Sequence, residues 1–142
     1  MNDSILATAA ITINAPVTKV WEALVTPSLI KKYLLGTEVI TDWQEGSPIT
    51  YKGVWEGKPY KDKGRILEVE PGRLLVSTFW SSLAGEPDLP EYYKTIRYNL
   101  YVEGNDTILT ITQAKYKTQD EAGNSELNWK AVLAEMKKLI ES

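Results

Sequence analysis

Apolar and polar positions alternate along much of this chain, and in two places the alternation gives way to helical spacing. Ile11 and Ile13 alternate with Thr12 and Asn14, the period of a half-buried strand. Val17, Val20, Trp21 and Leu24 then fall at i, i+3, i+4 and i+7, one apolar stripe on a helix. Pro16 stands where a first helical residue is favoured, because its fixed φ suits the helix and its missing N–H costs nothing there. Thr26-Pro27 repeats the pattern as N-cap and first residue of a second short helix, with Leu29, Ile30, Tyr33 and Leu34 on its apolar side and Gly36 at its end.

From Thr37 to Lys117 the period is that of strands. Val39–Trp43 leads into the turn at Gly46 and Pro48. Ile49, Tyr51, Gly53 and Trp55 alternate with Thr50, Lys52 and Val54, and Glu56-Gly57-Lys58-Pro59 is turn chemistry. Gly64–Glu70 is the next strand, and Ile66-Leu67 breaks its alternation in the manner of a bulge. Leu74–Trp80 follows, then a long loop from Ser81 to Tyr92. Ile96, Tyr98, Leu100 and Val102 alternate with polar neighbours, and Gly104-Asn105-Asp106 signals a hairpin into Leu109, Ile111 and Gln113. After a polar stretch carrying Gly123, Ser125 is the expected N-cap of the longest helix, Leu127–Ile140. Its stripe is Trp129, Val132, Leu133, Met136, Leu139 and Ile140.

This order predicts one α+β domain over residues 1–142. A curved antiparallel sheet of about seven strands wraps around a long C-terminal helix, with two short helices after the first strand. Composition narrows the chemistry. The chain has 142 residues, a net charge of −3, 43% apolar residues, and neither Cys nor His. Those absences remove disulfides, thiol nucleophiles, imidazole or thiolate metal sites and Ser-His triads. Lys and Arg are spread along the chain, which argues against a nucleic-acid footprint. No apolar run approaches the ~20 residues of a membrane span, and the N-terminus lacks signal-peptide features, so a cytoplasmic protein is expected.

The order and spacing of these segments resemble the START-like helix-grip (SRPBCC) superfamily. The resemblance is carried by Asn14-Ala-Pro16, Val20-Trp-Glu-Ala-Leu24, Gly46-Ser-Pro48-Ile49, Gly64-Arg-Ile-Leu-Glu-Val-Glu-Pro71, Arg73-Leu-Leu-Val76 with Trp80, and Glu126-Leu-Asn-Trp129. Within the superfamily the chain is most similar to the branch named for homology to the C-terminal domain of the heat-shock-protein ATPase activator. The resemblance implies a cavity between the last helix and the sheet, which relatives use for lipids, hormones and polyketides and some use for catalysis. The eukaryotic activator also carries an N-terminal chaperone-contacting domain, for which this length leaves no room.

Five Trp and eight Tyr stand against a single Phe. Broad apolar faces with one hydrogen-bonding tip suit a pocket for a mostly apolar molecule. Tyr51, Trp55, Trp80, Tyr98, Trp129 and Met136 are expected to face the helix–sheet gap, with Val132 and Leu133 on the same helix stripe and Tyr33 at the mouth. Each has core packing as its plainer alternative. Gln113 is the one polar residue expected on an inward face, where it would orient a polar ligand group or bond a neighbouring strand end. Arg65 and Arg97 are expected to face solvent. The loop 81–92, with its three carboxylates, is either a lid or a surface excursion. The leading expectation is therefore a binding domain for a small apolar or amphipathic ligand, without cofactor or metal. The alternatives are a cyclase- or hydratase-like enzyme using a Tyr or carboxylate in the same cavity, and an interaction domain contacting a chaperone.

Overall fold

A computed structural model describes residues 5–34, 36–82, 85–114 and 118–142, and of Trp55 the main chain alone. Among the described residues, seven strands and three α-helices follow one another. They are β1 (Ala7–Ile13), α1 (Val17–Val25), α2 (Pro27–Tyr33), β2 (Glu38–Ile40), β3 (Pro48–Trp55), β4 (Lys58–Glu70), β5 (Leu74–Phe79), β6 (Lys94–Glu103), β7 (Asp106–Gln113) and α3 (Gln119–Glu141). The strands form one curved antiparallel sheet in the order β1-β7-β6-β5-β4-β3-β2, the expected helix-grip architecture. Chain order is kept from β2 to β7 because each strand returns antiparallel beside its predecessor, through short turns except for the long loop between β5 and β6. Only β1 crosses over, to pair with β7.

Several boundaries differ from the sequence reading, β2 among them, which stops at Ile40 rather than running to Trp43; three more have a clear physical reason. Pro16 is the N-cap of α1 with an extended ψ of 154°, one position before the helix rather than its first residue. β4 begins at Lys58, not Gly64, because Glu56 and Gly57 both take positive φ. That two-residue turn matches the twist of the flanking strands and closes Trp55 directly against Lys58. Pro59 is tolerated in the strand because β4 is paired there on one side only, with β3. Finally, α3 begins at Gln119, not after Ser125. Thr118 is its cap, accepting a hydrogen bond from the Glu121 N–H at 3.1 Å. The extra turns are polar outside but bury Ala122 against Ala7, so the stripe that marks the later turns is missing from them. Thr26 does stand at the N-cap of α2, although its side chain makes no capping bond.

The irregularity expected at Ile66-Leu67 is present, as a register shift between Ile66 and Glu68 where β4 passes from its pairing with β3 to its pairing with β5. Gly64 makes this passage possible. A Cβ there would lie 1.7 Å from the Thr78 carbonyl oxygen of β5. The main core gathers Ile13, Val20, Leu24, Ile66, Leu109, Ile111, Leu133, Met136 and Ile140 between the sheet and the three helices.

α3 is fastened to the exposed edge of β1. Glu126 accepts from the Thr8 N–H at 3.0 Å, Lys137 donates to the Thr12 carbonyl at 2.9 Å, and Glu141 accepts from the Asn14 N–H at 2.7 Å. The helix thereby satisfies an edge that would otherwise invite pairing with another chain. The remaining strands curve away from it.

Gly64→Ala places its methyl group into main chain, which cannot rotate aside. Urea denaturation is expected to show a loss of about 2 kcal/mol or more, in the range of other steric core defects. A change of a few tenths of a kcal/mol would show that the two strands can separate at this point.

Candidate functional site

The gap between α3 and the curved sheet is a cavity of about 380 Å³. Its walls come from Trp129 and Val132 on α3, Tyr51 on β3, Phe79 on β5 and Tyr98 on β6, with Leu34 at the end of α2. The rings meet edge to face, Tyr51 on Phe79 at 5.5 Å between centroids and Tyr98 on Trp129 at 6.1 Å. This geometry sets the positive edge of one ring against the negative face of the next. Val54, 67% exposed, and Asn128, also exposed, lie on the rim where the cavity meets solvent. A smaller void of about 30 Å³ lies behind the same rings, against Tyr33 and Met136.

Two polar groups of side chains enter this apolar space. On the helix side, the Gln113 side-chain oxygen accepts from the Trp129 indole N–H at 2.9 Å and the Ser125 hydroxyl at 3.3 Å. Gln113 is 5% exposed, so these bonds are what make its burial tolerable. On the sheet side, β4 alternates Tyr60, Asp62, Gly64 and Ile66 inward against Lys61, Lys63 and Arg65 outward. The Tyr60 hydroxyl meets the Thr37 hydroxyl at 2.6 Å. It reaches there by lying over Gly53, its cross-strand partner, where a Cβ would stand 2.4 Å from the phenol oxygen. Asp62, directly across from Tyr51, is 7% exposed. Its Oδ1 accepts from both the N–H and the hydroxyl of Ser82, at 2.9 and 3.2 Å. Asp62 is the one Asp, Glu, Lys or Arg among the described lining residues.

The buried phenols resist ionisation. Tyr51 is pushed up to about 12, chiefly by burial and further by the nearby Asp62 charge, against a downward pull from the Ser77 hydroxyl. Tyr98 is raised well above the ordinary Tyr value by burial, then by Tyr51 and Tyr33. Tyr33 is raised by burial and by Tyr51. At neutral pH these rings are neutral, so their hydroxyls can donate hydrogen bonds.

Of the residues singled out from the sequence, Tyr51, Tyr98, Gln113, Trp129 and Val132 come together around the cavity. Tyr33 is not at the mouth. It is buried beneath the inner void, where its hydroxyl donates to the Ala23 carbonyl at 2.9 Å. Met136 borders that inner void, and Leu133 is core. Trp80 is elsewhere, its indole N–H donating to the Pro87 carbonyl at 3.0 Å and its ring stacked on Tyr93. The Trp55 side chain lies outside the described residues. Arg65 and Arg97 are exposed, as expected. Residues 85–92 of the long loop contribute nothing to the cavity wall, and Asp88 ties them to Lys63 on the outward side of β4. Asp62, Tyr60, Thr37 and Phe79 were not anticipated. The inward alternation of Tyr60, Asp62, Gly64 and Ile66 was the available signal, hidden by reading Glu56–Pro59 as turn and starting the strand only at Gly64. Among the described residues no acidic cluster could hold a metal ion, and no helix is long and apolar enough to cross a membrane.

The family described as activator of Hsp90 ATPase homolog 1-like protein matches residues 14–141. The chain belongs to that family. Among solved structures it is similar to ChR145 from Cytophaga hutchinsonii, with 42% identity and a TM-score of 0.86 over 99% of this chain and 97% of that one. The Aha1 dimer from Colwellia psychrerythraea shares the fold at 20% identity, with a TM-score of 0.76 over 96% of each chain. DynU16, from the dynemicin biosynthetic locus, does so at 17% identity and a TM-score of 0.80, over 98% of this chain and 48% of its own. No curated protein matches the sequence.

Raised phenol pKa values carry a sign for stability. A neutral Tyr whose folded pKa exceeds its unfolded value near 10 leaves stability unchanged below that value, and stability falls as pH climbs toward and through the folded one. Urea midpoints of this protein are therefore expected to decline from about pH 10 upward. Absorbance at 295 nm should show a late-titrating set of tyrosines whose ionisation accompanies unfolding. All tyrosines ionising together near pH 10 in the folded protein would contradict the burial of Tyr33, Tyr51 and Tyr98.

Proposed function

We propose that this protein binds a small, largely apolar molecule in the cavity between α3 and the sheet. The observation that carries the reading is the cavity itself. The aromatic residues gathered there do not fill the space between helix and strands but line about 380 Å³ with rings. An apolar cavity of ~150 Å³ suffices for benzene, so this one suits a molecule of two or three fused or linked rings. A ligand burying ~250 Å² of apolar surface gains about 6 kcal/mol gross. Association costs of about 4 kcal/mol or more leave little net affinity from apolar contact alone. Polar groups in the wall must then supply specificity and much of the affinity. A cytoplasmic setting belongs to the same reading.

A second reading has its own support. Asp62 and Tyr51, a buried carboxylate opposite a phenol, are the kind of proton-handling pair that a His-free cyclase or hydratase would need in this cavity. Chaperone contact has no comparable observation. The fold is shared by an Aha1 and by a protein of a natural-product locus, and fold does not decide function. Tyr101 and Val102 are exposed, but a few apolar residues at a surface are ordinary.

Titration with N-phenyl-1-naphthylamine, whose emission rises in apolar surroundings, tests the binding reading. A saturable rise is expected, with affinity at least about tenfold weaker in Val132→Trp, where an indole occupies the space. Arg97→Ala, on the solvent face of β6, should bind as the parent does. Absence of saturable binding, or equal affinity in the Val132→Trp protein, would overturn the reading.

A further inference from the structure

We infer that the cavity selects amphipathic organic cations: an aromatic or alicyclic body carrying an amine, with the ammonium group on Asp62. This rests on the binding reading above and names the ligand class of that same site. Three observations converge. Asp62 is nine-tenths buried and borders the cavity, yet among the described residues only one of its oxygens is engaged. Oδ1 takes both hydrogen bonds from Ser82, whereas Oδ2 has no partner among the described residues. No buried side-chain nitrogen or oxygen among the described residues lacks a partner, so Oδ2 keeps access to solvent, and a ligand ammonium arriving there replaces water with a charge-assisted hydrogen bond.

The second observation is the sign of the surroundings. The described lining residues include no Lys or Arg. The neighbours Lys61 and Lys63 point outward, and Lys63 is engaged by Asp88 at 2.5 Å. A ligand ammonium would thus be the positive charge that Asp62 lacks, whereas a ligand carboxylate would enter a space already holding one negative charge and no cation. The third is the wall itself. Tyr51 stands directly across from Asp62, with Phe79 edge to face against it. Faces of such rings attract a desolvated cation. The Ser82 bonds hold the carboxylate orientation, so less ordering remains to be done when the ligand arrives.

The matched probes 2-(1-naphthyl)ethylamine, 2-(1-naphthyl)ethanol and 3-(1-naphthyl)propanoate separate charge from shape. Isothermal titration calorimetry is expected to rank amine over alcohol by about tenfold or more, with the carboxylate weakest. In Asp62→Asn, whose side-chain oxygen can still accept from Ser82, the amine-to-alcohol ratio should fall to near one, while Arg97→Ala keeps the parent ratio. If the alcohol binds and the amine binds no tighter, or if the preference survives Asp62→Asn, the cation inference is wrong and the apolar binding site stands. If none of the three probes binds at millimolar concentration, the cavity reading fails and this inference with it. The ranking in the unsubstituted protein decides the matter should the variant not fold.

Discussion

The structure depends on the clamp between α3 and the edge of β1. A long helix beside a curved sheet has two ways to bury its apolar stripe: along the middle of the concave face, or along one margin. Here three side chains of α3 engage main-chain groups of β1 at Thr8 and Thr12 and of Asn14 just beyond its end, spread over the length of the strand. Ala122 meets Ala7 near the start of the helix, while Met136 and Ile140 enter the main core near its end. A rigid rod fixed to one margin cannot also follow a sheet that curls away from it. The space left toward β3 and β4 is the cavity. It is a geometric consequence of where the helix is fastened, not of missing side chains.

That space needs props, because ring-lined gaps tend to collapse where packing can relax. Trp129 is one prop. Its indole is held at one end by the Gln113 oxygen and stands edge-on to Tyr98, so it forms a wall without folding into the gap. The opposite wall is held by cross-strand pairs of the β3–β4 hairpin, Tyr51 with Asp62 and Gly53 with Tyr60. In each case a large ring or a charge sits beside a partner that fixes its direction. Such supports distinguish a standing cavity from a packing defect.

The sequence made legible whatever follows a single period. The alternation of β6 and β7 and the stripes of α1 and the later turns of α3 are repeated exchanges of apolar and polar positions, and they map onto buried and exposed faces. What escaped was governed by short-range or tertiary terms. The opening turns of α3 bury only Ala122, and nothing in a polar run with Gly123 announces a helix except Thr118 with Glu121 three residues on. The first half of β4 escaped because Pro59 and its lysines look like turn, and because Glu56 takes a left-handed φ that non-glycine residues rarely adopt. Among site residues, Trp80 comes one position after the cavity-lining Phe79, so alternation puts it on the other face, where Lys63 lies over its ring and its indole donates to the Pro87 carbonyl. Tyr33 follows its helix stripe correctly, yet its hydroxyl found the Ala23 carbonyl and took it inward. Periodicity says which face a residue occupies; the polar tip of an aromatic then decides how deep it goes.

Stability and the cavity's chemistry are consequently carried by different parts of the chain. The clamp on β1 and the core around Ile13, Leu109, Ile111 and Met136 involve none of the cavity's charged or hydroxyl groups. The cavity's own chemistry comes from the β3–β4 hairpin, from Thr37 between α2 and β2, from Ser82 at the head of the long loop, and from one face of α3 between Ser125 and Val132. On the proposed binding reading, substituting Asp62 or Tyr60 would change what the cavity recognises while leaving the helix on its edge. Architecture and cavity chemistry can therefore vary independently, and membership of the family carries the fold without naming a ligand. On the proposed reading the ligand would be chosen by the few polar atoms that face the space, among them the Asp62 oxygen that no described residue bonds.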